Sequence, residues 1–127
     1  MAEETTPETI SPRLHPEPVV YAIVRPEFEP SGALGTVLEP EGLTVVVEQR
    51  DADEDGLLYD FVGAWITLSV LAGLDTGLDA VGVTARLSRV LADAGIACNV
   101  LAGFHHVHLV VPWDRRHDAL ALLAPLG

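Results

Sequence analysis

The order of the predicted strands and helices favours an α+β fold, with helices on one face of an antiparallel sheet. Apolar residues recur at helical spacing over residues 83–94, downstream of the strand-like segment 65–71. Residues 96–101 and 106–111 predict two further strands, joined by a turn around Gly103. The resulting order of strand, helix, strand and strand is that of a ferredoxin-like fold.

Capping residues mark the ends of the predicted helices. Asp79 is placed to N-cap the first helix, and Gly95 to end it in a left-handed conformation. A second helix is predicted over residues 114–124, with Asp114 as its N-cap and Pro125 ending it. No residues then remain for a fourth strand, so one edge of this sheet needs another partner.

The N-terminal region divides into a tail and a strand. Residues 1–18 contain four prolines and several acids, which predicts a disordered tail. Residues 19–24 predict an apolar strand. We expect this strand to cover the open edge of the second-half sheet, with pairing to a second chain as the alternative.

The rest of the first half predicts a hairpin between two connections. Residues 26–32 are too rich in proline and glycine for a good helix. Residues 34–38 and 43–48 predict two strands around the turn EPEG. Residues 49–61 then connect the hairpin to the strand at Trp65.

Alternation along two strands predicts which side chains face the helices. Residues at every second position of a strand share one face. The predicted helix-facing residues are Ile66, Leu68, Val70, Val107, Leu109 and Val111. The opposite, more polar face carries Thr67, Ser69, His106 and His108. We expect that face to be solvated or to form an interface between similar units.

Composition limits the classes of partner. The formal charge is −12 and all seven cationic side chains are arginines, so nucleic acid and anionic membranes are poor partners. No apolar run is long enough to cross a bilayer, and the first residues lack a secretory signal. These features predict a cytoplasmic protein. The single cysteine, Cys98, is predicted to be a buried and inert thiol.

Four segments resemble a bacterial family of tandem ACT domains: EGLTVVV (41–47), WITL (65–68), LDAVGVT (78–84) and GIACNVLAGFHHVHLVV (95–111). That family is similar to the regulatory domains of aspartokinase and to cytosolic arginine sensors. The resemblance covers about residues 19–124. It implies a degenerate ACT-like unit at 19–61 and an ACT domain at 62–127. It also implies a regulatory domain that senses a small molecule, typically an amino acid, as a homodimer or with a partner protein.

The resemblance, together with the chemistry of a helix start, predicts a ligand site. Unpaired backbone amides at the start of a helix suit a carboxylate, and an aspartate there could hold an ammonium group. The adjacent hairpin would close the other side. The predicted ligand-binding residues are Asp79, Val81, Gly82, Asn99, Gly103, Phe104, His105 and His106. The alternative is structural, with Asp79 acting only as a cap and Gly82 only permitting close packing.

Three histidines in one strand raise the question of a metal. His106 and His108 project from the same side of the strand, whereas His105 points away. A zinc site needs three or four ligands, and His117 is the only further nitrogen nearby in sequence. We therefore predict no metal and no cofactor, and keep a histidine-based metal-binding protein as a less favoured alternative.

The acidic segment 51–56 resembles the start of a calcium-binding loop. Val62 stands where that loop requires glutamate, and a strand rather than a helix precedes the segment. An acidic surface turn is the better interpretation.

Motifs for catalysis are missing from the sequence. It has no Gly-x-Ser-x-Gly elbow and no phosphate-binding glycine loop. We predict no enzyme activity. The main alternative to a ligand sensor is an interaction module that only dimerises.

Overall fold

The computed structural model describes residues 11–28, 30, 32–69 and 82–125. The elements are β1 (Ser11–Leu14), β2 (Val19–Val24), β3 (Gly35–Glu39), β4 (Gly42–Glu48), α1 (Gln49–Glu54), β5 (Tyr59–Ser69), α2 (Val83–Asp93), β6 (Asn99–Ala102), β7 (His106–Pro112), a 3₁₀ turn (Trp113–Arg115) and α3 (Arg116–Leu123). The seven strands form one antiparallel sheet in the order β3-β4-β2-β5-β7-β6, with β1 also beside β5. Within these described ranges no helix is long and apolar enough to span a membrane.

The helices cover one face of the sheet, which we call the outer face, and the predicted α+β ferredoxin-like class is confirmed. Helices α2 and α3 bury alternate residues of β5 and β7 in one core. The buried members from the strands are Ala64, Ile66, Leu68, Leu109 and Val111, and those from the helices are Leu87, Leu91, Ala119 and Leu123. This matches the face predicted from strand alternation, except that Val70 lies outside the described residues.

A second core lies under α1. Ala52 of this short helix is fully buried against Val20, Val45 and Val47 of β2 and β4. The sequence analysis predicted only a connection and an acidic turn here, so the helix corrects that interpretation. Its six residues contain one apolar side chain, which gives no periodicity to detect.

The ends of α2 and α3 correct two predicted caps. Gly82, with φ 90°, is the N-cap of α2, so the proposed cap at Asp79 was wrong. Arg115 precedes α3, and Asp114 lies instead in the 3₁₀ turn. The end of α2 is as predicted, because Gly95 adopts φ 73°.

Strand β5 joins the two halves of the chain through its long edge. Its first part pairs with β2, where Val19 lies opposite Gly63, so the predicted pairing of the 19–24 strand is confirmed. Its second part pairs with β1, where Arg13 lies opposite Thr67. Residues 11–14 are therefore a strand, and the prediction of disorder for this part of the tail was wrong.

The other face of the sheet, which we call the inner face, carries none of the described helices and is nevertheless buried at its centre. Val19, Val46, Trp65 and Val110 form a third core there. A methyl group at Gly35 on edge strand β3 would lie 3.0 Å from the Leu101 side chain on edge strand β6. Since β3 and β6 are opposite edges of the sheet, the sheet curls and its inner face closes upon itself.

Candidate ligand-binding site

The predicted site at the helix start is only partly described. Asp79 and Val81 lie outside the described residues. Gly82 is exposed, and a methyl group placed on it would meet no described atom within 4 Å. No described residue therefore closes over the start of α2.

The hairpin between β6 and β7 holds the other predicted ligand residues. The Gly103 amide donates to the His106 carbonyl at 2.8 Å, which closes the turn. Phe104 is 78% exposed, and its ring meets His105 edge-on with centroids 4.9 Å apart. Asn99 lies at the far end of β6, opposite Val110. The turn thus groups residues 103–106 but leaves Asn99 away from them.

A cavity of about 360 Å³ lies instead on the inner face, and of the predicted ligand residues that the structure describes only His106 lines it. We call it the inner cleft. Its lining residues are Arg13, Leu14, His15, Pro16, Leu34, Trp65, Thr67 and His106. Such a volume falls within the range of small-molecule sites.

A hydrogen-bonded network lies beneath the inner cleft. The Trp65 indole N–H donates to Thr67 Oγ1 at 3.1 Å, and the Thr67 hydroxyl lies 3.0 Å from His108 Nδ1. The Trp65 and His108 rings also lie against each other, with centroids 4.9 Å apart. Burial, with a smaller contribution from His106, lowers the pKa of His108. In the tautomer of neutral His108 that carries its proton on Nε2, Nδ1 accepts a hydrogen bond from the Thr67 hydroxyl, so the network holds the Trp65 ring in place.

The connection between β1 and β2 closes the cleft on another side. The His15 amide donates to the Trp65 carbonyl at 2.8 Å, and His15 Nε2 lies 2.7 Å from Glu48 Oε2. Arg50 donates to the other carboxylate oxygen, Glu48 Oε1, at 3.0 Å. The hydrogen bond from His15, assisted by Arg50, lowers the pKa of Glu48. The connection is therefore anchored to both β5 and β4.

His106, His108 and Cys98 were considered in the sequence analysis for metal binding or thiol chemistry, and their surroundings bear on both. His106 and His108 have ring centroids 6.3 Å apart, and the bond to Thr67 engages His108 Nδ1. Among the described residues no group of three or more potential ligands could hold a metal ion. Cys98 is half-buried, and burial raises the pKa of its thiol. A raised pKa keeps the thiol protonated and poorly nucleophilic.

Most of the cleft was missed by the sequence analysis. Thr67 and His106 were assigned to the polar sheet face, but Trp65 and Arg13 were not considered. A signal for β1 does exist, because Ile10, Pro12 and Leu14 alternate with Ser11, Arg13 and His15. That period of two is the pattern of a half-buried strand.

Comparison with known proteins places the fold in a family. Residues 7–64 and residues 61–125 each match an ACT domain. The chain belongs to the ACT-domain family. ACT domains are typically regulatory and bind small molecules such as amino acids, and they often form oligomers. The comparison with curated proteins found no match.

Solved structures support the same assignment. A Vibrio cholerae protein of unknown function, described as a possible transport protein, is 35% identical, with a TM-score of 0.77 over 91% of this chain and 88% of that one. An Agrobacterium tumefaciens protein is 20% identical, with a TM-score of 0.69 over 96% and 91% of the two chains. The aspartokinase alpha and beta subunits are 14% identical, with a TM-score of 0.58 over 91% and 95%. The last two similarities concern the fold alone.

Proposed function

We propose that this chain is a non-catalytic regulatory domain that binds a free amino acid, or a close metabolic relative of one, in the inner cleft. The ligand would stabilise the arrangement of β1, β5 and β7 around the cleft. A change in oligomeric state or in contact with a partner protein would then transmit the signal.

The observation that carries this proposal is the chemistry of the cleft lining. Cationic Arg13 and the imidazole of His106 line the same cleft as the apolar side chains of Leu34 and Trp65. Polar groups placed within an apolar pocket are the usual composition of a small-molecule site. Arginine in particular recognises carboxylates through two parallel hydrogen bonds. A carboxylate with a short apolar tail therefore matches the lining.

Thermal unfolding against a panel of amino acids and related acids tests the proposal. A ligand at a hundred times its dissociation constant adds about 2.7 kcal/mol, which raises the midpoint by about 10 °C for a chain of this size. A second readout comes from Trp65, since the chain has two tryptophans and Trp113→Phe leaves Trp65 as the only one. No shift and no change in Trp65 fluorescence across the panel would contradict a sensor.

A ligand-free dimerisation module is the second candidate. Exposed apolar side chains lie on edge strand β3, with Val37 48% exposed and Leu38 70% exposed. An open edge of this kind favours pairing with another chain. A dimer in sedimentation experiments that no metabolite alters, and that Leu38→Glu dissociates, would support this candidate.

A further inference from the structure

The charge of the inner cleft contrasts with that of the chain. The chain carries 19 acidic and seven basic side chains, yet the described residues that line the cleft include Arg13, His15 and His106 and no acid. Thr67 adds a hydroxyl, and Trp65 adds an aromatic surface. An anionic group entering this cleft meets the guanidinium of Arg13 and the imidazole of His106, and no carboxylate among the described lining residues repels it.

The carboxylate of Glu48, which contacts the lining residue His15, has a partner on each oxygen. Glu48 bonds to the His15 lining residue through one oxygen and to Arg50 through the other. Its side chain is 18% exposed, and Glu48 does not line the cleft. An ammonium group brought into the cleft therefore finds no free acid among the described lining residues. Desolvating a cation without a partner opposes binding.

The apolar side chains of the lining indicate what kind of group the carboxylate of the ligand is attached to. Pro16 lies in the connection between β1 and β2, Leu34 precedes β3, and Trp65 belongs to β5. Together they favour a short hydrocarbon group attached to the carboxylate.

We propose that the inner cleft selects small carboxylates that carry an apolar tail and no α-ammonium group, such as branched 2-oxo acids, over the corresponding amino acids. This inference rests on the proposed function and names the chemical class within it. It differs from the site predicted at the start of α2, where an aspartate would hold the ammonium group.

Matched ligand pairs test the selection directly. Fluorescence of Trp65 in the Trp113→Phe protein would be titrated with 4-methyl-2-oxopentanoate and with leucine, then with 3-methyl-2-oxobutanoate and valine. We expect each oxo acid to bind at least about tenfold more tightly than its amino acid, because an unpaired desolvated ammonium group opposes binding of the latter. Equal or tighter binding of the amino acids would overturn the selection but support the proposed function. Binding of neither class would contradict both.

A charge-matched pair of variants tests the location. Arg13→Gln removes the cleft arginine, and Arg25→Gln removes an exposed arginine that does not line the cleft. We expect Arg13→Gln to weaken oxo-acid binding about 10- to 100-fold, as for a lost hydrogen bond between charged groups, and Arg25→Gln to have little effect. Arg13→Lys, which retains the charge but not the paired donors, should lie between them. Equal affinities for the Arg13→Gln and Arg25→Gln proteins, with folding verified by circular dichroism, would overturn the proposal.

Discussion

Removing the Thr67 hydroxyl is the sharpest perturbation of the network beneath the inner cleft. Thr67→Val keeps the shape of the side chain and its β-branching, so the strand geometry of β5 is retained. The hydroxyl connects the Trp65 indole N–H, at 3.1 Å, with His108 Nδ1, at 3.0 Å. Valine leaves both groups without this partner in a part-buried position.

The expected loss of stability follows from the two bonds. Each hydrogen bond contributes about 1 kcal/mol net, and an unsatisfied partner adds to the loss, so we expect about 2–3 kcal/mol in total. With an unfolding entropy of about 2.1 cal/mol/K per residue, this lowers the midpoint by about 7–11 °C. The indole of Trp65 should also lose its fixed environment.

Thermal and urea unfolding, followed by near-ultraviolet circular dichroism, measure both effects. Thr36→Val is the matched control, because Thr36 lies exposed on edge strand β3. We expect the control to change stability by less than about 0.5 kcal/mol. Equal midpoints for the two variants would refute the network as a stabilising feature of the fold.

Three further predictions concern the joined edge of β5 and the titrating groups. A methyl group at Gly63 would lie 2.6 Å from the Val110 side chain and 2.9 Å from a backbone oxygen, so Gly63→Ala should destabilise by about 2 kcal/mol or more in urea unfolding. Gly35→Ala should cost less, because its nearest contact is the end of the Leu101 side chain at 3.0 Å and its contact with Trp65 is an ordinary 3.5 Å. Burial lowers the pKa of His108 below the ordinary 6.5. Its contribution to the unfolding free energy is therefore complete above pH 6.5 and is lost as pH falls through the folded pKa. In urea titrations, the unfolding free energy should decrease less between pH 7.5 and pH 5.5 for His108→Gln than for the parent protein. Because bonds from His15 and Arg50 lower the pKa of Glu48 below 4.5, its contribution is complete above that pH and lost below it, so Glu48→Gln should flatten the stability profile between pH 5 and 3.

The elements with strong periodicity could be predicted from sequence. Strand β7 and helix α2 follow from alternation and from 3.6-residue spacing, and Gly95 was identified as the helix end because only a left-handed residue suits that position. Strand β1 was not predicted, since proline and a high content of acids are typical of disorder. Pro12 is tolerated because β5 is the one described strand that pairs with β1, as expected for proline on an edge strand.

The inner cleft depends on contacts that local patterns do not encode. Arg13, Trp65 and His106 are far apart in sequence and come together through the pairing of β1, β5 and β7. The burial of the inner face depends on the curl of the sheet, which follows from twist over many strands rather than from any one segment. Resemblance to a family directed the site prediction to a helix start and a hairpin, and among the described residues of that prediction only His106 lines the cleft.

The location of the ligand is the central claim, and nuclear magnetic resonance of ¹⁵N-labelled protein tests it most directly. Titration with 4-methyl-2-oxopentanoate should shift the Trp65 indole signal and the amides of Arg13, Thr67 and His106. The amides of Gly82 and Asn99 should stay in place. Shifts confined to Gly82, Asn99 and the hairpin turn at residues 103–105 would instead place the ligand at the helix start and contradict the inner cleft.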